Sequence, residues 1–383
     1  MFSLEFSDIQ QTIWETAKRF AEEVIAPGSI DRDKSGEFPK DILKQIGELG
    51  FLGIMVPEEY GGAGLDAVSY VLALKEIAKA DASIAIPISV QNSLVDWIFL
   101  HYGSDLLKEK YLKHLATGEY IGAYSLSEPE AGSDARMIRT RAEKSGNDWI
   151  LNGFKNWVST GHNSDVCVVF AQTNPEIQHK GITAFAIEKG TPGFEPMKKE
   201  DKMGMHASDT VSIALTNVKV PNENIIGKVG EGFYIAMKAL NGGRIGIAAQ
   251  SLGIAEAALE RSVRYAKERT VMGKPLADHE LTQYKLAQMS MKVSAAEMLV
   301  LKAAFLRDSG AEHIRAASEA KLFASTIANE ITREAVQIHG GYGYTREYVV
   351  ERLMRDAKVT EIYEGTSEIQ NIVIARQILK EID

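Results

Sequence analysis

The sequence predicts a mostly helical α+β protein in three consecutive domains. These are an N-terminal α-helical domain over 1–117, a middle antiparallel β-barrel or sandwich over 118–225, and a C-terminal four-helix bundle over 226–383. Two observations predict this. Apolar residues recur at steps of three and four in both outer thirds, which is the period of one helix face. In the middle third, short β-rich runs alternate with turn residues, as in a small antiparallel β-domain. At 383 residues the chain has room for two or three domains and a core that needs no staples.

Taken in order, Ser7 and Gln10 have the spacing of a capping box. Ile9, Ile13, Ala17, Phe20 and Val24 follow on one face, and Pro27-Gly28 is expected to end that helix. Ile42, Ile46 and Leu49 mark a second helix, and Pro57 to Gly62 a turn-rich loop. Val68, Leu72, Lys75 and Ile77 mark a third helix, and Leu94 to Tyr102 a fourth. In the middle third, Trp149–Leu151 and Lys155–Ser159 flank Asn152-Gly153, a strong hairpin signal. Runs at 166–171, 182–187 and 211–220 continue the β pattern. After Pro221 and the stretch Gly227–Gly232, helical periodicity predicts long bundle helices at about 231–270, 280–308 and 312–338. A fourth helix follows Glu364. There is no internal repeat and no low-complexity tract.

Composition narrows the function. The chain is 45% hydrophobic and 25% charged, with a net charge of −9 and no basic block. That argues against nucleic acid or an anionic membrane as the main partner. No run approaches the ~18 apolar residues of a membrane span. The N-terminus lacks a signal-peptide core, so a cytoplasmic protein is expected, or a mature mitochondrial-matrix chain whose leader has been removed. The single cysteine, Cys167, sits in an apolar run and reads as core packing. Eight histidines lie scattered without paired helical spacing, so no metal site is expected.

The stretch Arg355–Gln370 is the most informative for chemistry. It places Glu364 before Gly365, with Thr366 next. A carboxylate between two helices can act as a base, and a glycine beside it admits a planar group close to the backbone. A lone loop glutamate is ordinarily a solvated charge. Tyr124–Asp134 (YSLSEPEAGSD) packs small hydroxyls and a glycine around a proline turn, suited to the edge of a heterocycle or a phosphate. By itself it is a loop with serine caps. Trp157-Val158-Ser159 offers an aromatic face beside a hydroxyl, although Trp157 alone reads as core. Arg244 follows Asn241-Gly242-Gly243 and can anchor an anion; taken singly it reads as half of a structural ion pair. Gly340 or Gly341 reads as the C-cap of the long helix that the stretch Gln337–Tyr344 ends. Gly227, Gly230 and Gly232 do not form a dinucleotide fingerprint, since no βαβ unit surrounds them.

Together these segments, with KNWVSTG, KEDKMGMHASDT, NGGRIGIAAQ, YAKERTVMGKP and QIHGGYGY, resemble the acyl-CoA dehydrogenases over essentially the whole chain. The pattern is most similar to the short-chain, butyryl-CoA branch. The resemblance implies an FAD enzyme assembled as a homotetramer. Tyr124, Leu126, Ser127 and Ser133 match positions lining the flavin, and Ser133 also lies near the CoA moiety. Trp157, Val158 and Ser159 match the segment over the isoalloxazine ring. Arg269, Gln337 and Gly341 match contacts to the FAD of the adjacent subunit. Met272 stands at a flavin-contact position where many relatives carry Phe. Thr366 and Glu368 match FAD contacts after the base. Asn241 and Arg244 match substrate-side positions, with Gly365 beside them.

Glu364 matches the catalytic base. Some branches carry the base at the position before the arginine. That position is Gly243 here, which leaves Glu364 as the candidate. The resemblance further implies that Glu364 takes the substrate α-proton while flavin N5 accepts the β-hydride, giving a trans-2-enoyl-CoA. The enolate is held by the Glu364 N–H and a flavin hydroxyl, and electrons pass to an electron-transferring flavoprotein. Glu280, His206 and Asn241 replace the Gln, Arg and Asp common in relatives. Medium- or branched-chain dehydrogenation, direct use of oxygen, and a non-catalytic flavoprotein scaffold remain open at this stage.

Overall fold

The computed structural model describes residues 5–381. Helix α1 (Asp8–Phe20) starts at the capping box: the Ser7 hydroxyl accepts from the Gln10 N–H, and the Gln10 side chain accepts from the Ser7 N–H. Pro27-Gly28 does not end this helical path, contrary to expectation. A π turn (Ala21–Ile25) and a 3₁₀ turn (Ala26–Gly28) carry it into α2 (Ser29–Ser35). The π turn shifts the hydrogen-bond register just before the proline, where an N–H is missing. The stop is Gly36, left-handed at φ 65°.

Helices α3 (Lys40–Glu48) and α4 (Ala67–Ala80) lie where the periodicity places them. The next helix, α5 (Ala82–Val90), carries no sequence stripe because every residue in it is buried. A π turn (Gln91–Val95) joins it to α6 (Asp96–Tyr102). The segment Ala82–Tyr102 is in fact long and apolar enough to cross a membrane, contrary to the sequence reading, but it runs through the protein core. Short helices α7 (Asp105–Leu107) and α8 (Lys113–Thr117) close the N-terminal region.

The middle region is one eight-stranded sheet: β1 (Gly122–Ser125), β2 (Arg141–Ser145), β3 (Asp148–Ser159), β4 (Val166–Gln172), β5 (Ile182–Glu188), β6 (Phe194–Lys199), β7 (Thr210–Pro221) and β8 (Ile225–Ile226). Its order is β6-β7-β3-β2-β4-β5-β8, with β1 on β4. Most pairs are antiparallel, but β4 pairs in parallel with β1 and, at one residue pair, with β2. The sheet is therefore mixed rather than purely antiparallel.

Asn152-Gly153 is not a turn. It lies inside β3 at a register shift against β7. A side chain at Gly153 would meet the Thr140 Cα at 2.7 Å, so the glycine permits close backbone approach. The hairpin turn is Gly146-Asn147, where Ser145 pairs with Asp148. Strand β4 is buried on both faces: Cys167, Val169 and Ala171 pack inside the β-layer, whereas Val166, Val168 and Phe170 pack against helices. That double burial explains its unbroken apolar run.

Gly227 and Gly230, both at positive φ, lead into α9 (Gly232–Glu268). A small hairpin of β9 (Thr270–Val271) and β10 (Lys274–Pro275) follows. Next come α10 (Glu280–Asp308) and α11 (Ile314–His339), the latter capped by Gly340. A further helix, α12 (Val350–Lys358), precedes the Glu364 loop, and α13 (Ser367–Glu381) follows it. Helix α12 also ties the regions together. Arg355 pairs with Asp33 at 2.6 Å and Glu351 at 2.7 Å, and Asp356 accepts the Met205 N–H at 2.5 Å.

Candidate active site

Glu364 sits between α12 and α13 in a strained backbone. Its φ of 51° is left-handed without being glycine, and Gly365 follows at 95°. Three side chains hold this turn. Lys321 on α11, fully buried, donates to the Gly365 carbonyl at 2.8 Å. Gln370 on α13 donates to the same carbonyl at 2.9 Å. The Tyr363 hydroxyl bonds Gln250 on α9, whose amide donates to the Ala82 carbonyl at 2.7 Å.

The carboxylate points at Gly243. A Cβ there would overlap Glu364 Oε2, so the glycine is required by the base itself. Oε2 is buried and has no hydrogen-bond partner. Burial pushes the Glu364 pKa up to about 7, opposed first by Lys321 and then by Arg244. Among the described residues the Glu364 N–H makes no hydrogen bond, so it remains available as a donor.

Arg244 makes no ion pair among the described residues, unlike the simplest reading of its sequence. It lies 7% exposed, donating to Asn241 at 2.8 Å and Ser318 at 3.5 Å, with Nε unpartnered. Asn241 thus orients the guanidinium. Tyr124 on β1 faces the same region. Its enclosed hydroxyl has no partner, and its pKa is raised well above normal by burial and then by the Glu364 charge.

The β-domain presents a second group beside Tyr124. The Ser127 carbonyl accepts the Asn156 N–H at 2.9 Å, tying the YSLSEPEAGSD loop to β3. At a bulge between Lys155 and Val158, Trp157 (φ 60°) swings outward and is 63% exposed, not core. Val158 instead faces the sheet's own core, so only its backbone can meet a ligand. Leu126 is buried, Ser127 and Ser159 are half-buried, and Ser133 is exposed.

Sequence reasoning missed the brace beneath this loop. Lys155 is fully buried, donating to Glu128 at 2.8 Å and the Leu126 carbonyl at 3.1 Å. Glu128 also accepts the N–H groups of Arg139 and Thr140. The signal was available: Lys155 sits on the inward face, in step with Trp149 and Leu151.

A third group lies apart. Arg269, Gly341, Tyr265, His339 and Tyr342 line a cleft of about 450 Å³. Arg269 lies over the Tyr342 ring at 5.6 Å. Gln337 is exposed on the last turn of α11, and Met272 is 93% exposed at the tip of the β9–β10 hairpin. Lys321 and Gln337 are both on α11, separated by about 24 Å of helix rise. These residues therefore do not converge with Glu364 within one chain. Thr366 accepts the Ile369 N–H at the start of α13, with Glu368 exposed beside it.

Family models for the acyl-CoA dehydrogenase N-terminal, middle and C-terminal domains match residues 7–119, 123–218 and 230–379. The chain belongs to the acyl-CoA dehydrogenase family. It is 48% identical to an acyl-CoA dehydrogenase of Bacillus subtilis, covering 94% of this chain and 95% of that one. The butyryl-CoA dehydrogenase structure from Megasphaera elsdenii superposes with a TM-score of 0.97 at 45% identity, covering 99% of this chain and 100% of the other. A chain solved in work on the electron-transferring flavoprotein of Acidaminococcus fermentans matches with a TM-score of 0.98 at 45% identity, with 99% and 100% coverage.

Acyl-CoA dehydrogenases are FAD-dependent oxidoreductases, and this chain is an enzyme of that family. Its departures from the family pattern find structural settings. His206 bonds the Asp33 and Lys202 carbonyls, stitching the α2 region to the middle loop. Glu280 is exposed in the first turn of α10, where an acid suits the helix N-terminus.

Proposed function

We propose that this acyl-CoA dehydrogenase converts a short-chain acyl-CoA to the trans-2-enoyl-CoA, with Glu364 removing the α-proton. The observation that carries this is Glu364 itself: a water-excluded carboxylate with a free Oε2 and a pKa near 7, held in a strained turn by Lys321 and Gln370. A thioester α-proton is too weakly acidic for a carboxylate in water. The free Glu364 N–H supplies one donor to the thioester oxygen as negative charge develops. Arg244 keeps a positive field on the same region.

The residues fit FAD. Between β1 and the Glu364 turn lie two enclosed, unpartnered oxygens, Tyr124 Oη and Glu364 Oε2, while Trp157 stands outward on its bulge in β3. Tyr124, Leu126, Ser127, Trp157, Ser159 and Thr366 would hold it on this side. FAD supplies the acceptor for the substrate β-hydride.

The floor of the site favours a short acyl chain. Gly246 lies under the Tyr70 hydroxyl, and Gln250 is locked to Tyr363 and Ala82. A long alkyl tail would have to displace these paired polar groups.

A homotetramer is the proposed assembly. Leu281, Tyr284, Met291 and Met298 form an exposed apolar stripe on α10, the last three at heptad spacing. The separate Arg269–Gly341 cleft is then completed by another subunit. An electron-transferring flavoprotein is the proposed electron acceptor. The test is an anaerobic titration of the purified flavoprotein with butyryl-, octanoyl- and isovaleryl-CoA. Fast bleaching with butyryl-CoA is expected. Faster bleaching with either of the others would overturn the short-chain assignment.

A further inference from the structure

The chemistry at Glu364 makes no use of the ion pair buried inside the β-domain. Lys155, on β3, is fully enclosed. Its ammonium donates to Glu128 Oε1 at 2.8 Å and to the Leu126 carbonyl at 3.1 Å. Glu128 also takes the N–H groups of Arg139 at 2.5 Å and Thr140 at 3.0 Å. Burial pushes the Lys155 pKa down, and Glu128 is the first group to oppose it. Against its own burial, Glu128 is held below the usual carboxylate range, first by Lys155. Three donors on one carboxylate keep the pair charged. Such a pair is a weak source of stability, because desolvation offsets much of the attraction. Its second contact, to Leu126, gives it another use.

The Leu126 carbonyl and the Ser127 N–H belong to one peptide unit. That unit is planar and trans, so the N–H points opposite to the carbonyl and away from Lys155. Neither the Leu126 N–H nor the Ser127 N–H makes a hydrogen bond among the described residues. The next carbonyl, that of Ser127, accepts the Asn156 N–H at 2.9 Å. Two adjacent residues of β3 therefore fix two successive peptides just beyond β1. They leave a free donor on Ser127, which is half-buried. A cation on a carbonyl draws electron density toward the oxygen and makes the N–H of the same peptide a stronger donor.

We propose that Lys155 is a positioning residue that sets the reduction potential of the FAD, acting through the Leu126–Ser127 peptide. It fixes the direction of the Ser127 N–H and strengthens it as a donor to the polar edge of the flavin ring. That edge gains negative charge on reduction, so a stronger donor favours the reduced form. Lys155 acts only through this backbone unit, and Glu128 keeps it protonated inside the β-domain. This rests on the reading that FAD lies against the Tyr124–Ser127 segment.

The test measures the two-electron midpoint potential of the bound flavin, and the FAD affinity of the apoprotein, in the parent, in Lys155→Met and in Lys155→Met/Glu128→Gln. The double variant removes both charges. It leaves no unpaired buried carboxylate to impair folding, and its shift reports the peptide rather than a change in net charge. In both variants reduced FAD is expected to lose about tenfold more affinity than oxidised FAD, the order of the difference between a neutral and a charge-assisted hydrogen bond. For a two-electron couple that lowers the potential by about 30 mV. A segment that is merely loosened would bind both forms more weakly by the same factor and leave the potential where it was. An unchanged or raised potential in the folded double variant would overturn the role of Lys155 alone. A parent protein that binds no FAD would overturn the flavin reading together with it.

Discussion

Glu364 is ionised only at a cost, and Lys321 sets much of that cost. Burial raises the carboxyl to about 7, and Lys321 is the largest influence opposing the rise. The base works as the carboxylate, so kcat/KM is expected to fall as pH drops through about 7. Removing the Lys321 charge leaves the burial effect less opposed, and the Glu364 pKa must go up. In Lys321→Met the acid limb of kcat/KM for butyryl-CoA is therefore expected to move to higher pH. An unmoved limb with lower activity would show Lys321 to be only a support for the Gly365 carbonyl. The same shift bears on stability. A carboxyl raised from 4.5 to about 7 in the fold destabilises the native state progressively as pH rises between those values.

At the scale of elements, α9 is shaped by what it lacks. Gly243→Ala keeps the helix, since alanine favours it, but the new Cβ collides with Glu364 Oε2. Flavin reduction by butyryl-CoA is expected to slow by at least ~100-fold, the order of loss from a misplaced catalytic group. Unchanged far-UV circular dichroism should accompany that loss. Wild-type rates in this variant would contradict the position given to the carboxylate. Elements were legible in the sequence where one face is buried and the other wet, as in α3. They were hidden where burial is complete, as in α5, which shows no period at all. Asn152-Gly153 misled because a bulge and a turn both call for glycine; only the neighbouring Thr140 backbone tells them apart. Glu364 and Arg244 were legible through motif resemblance. Lys321, Gln370 and Gln250 were not, because their role depends on which helices α9, α11 and α13 bring together.

Across the whole molecule, the Arg269–Gly341 cleft and the Glu364 region lie too far apart to act on one another within a chain, and the α10 stripe offers a means of joining copies. Replacing Tyr284 and Met291 together by Lys is expected to convert the assembly to smaller species by light scattering and to release FAD. A parent protein that is monomeric and retains its flavin would contradict this arrangement. The N-terminal and middle regions also meet α12 through Asp33, Arg355 and the Met205 loop, so the base is positioned by all three parts of the chain.

The central claim is that Glu364 is the base of an acyl-CoA dehydrogenase. The most direct measurement is a parallel anaerobic titration of parent protein and Glu364→Gln with butyryl-CoA, following flavin absorbance. The parent flavin should bleach rapidly. The variant should keep its FAD and perturb its spectrum on binding, yet stay oxidised. Bleaching of the variant at the parent's rate would contradict the assignment of the base, and a parent flavin that never bleaches with any acyl-CoA would contradict the activity itself.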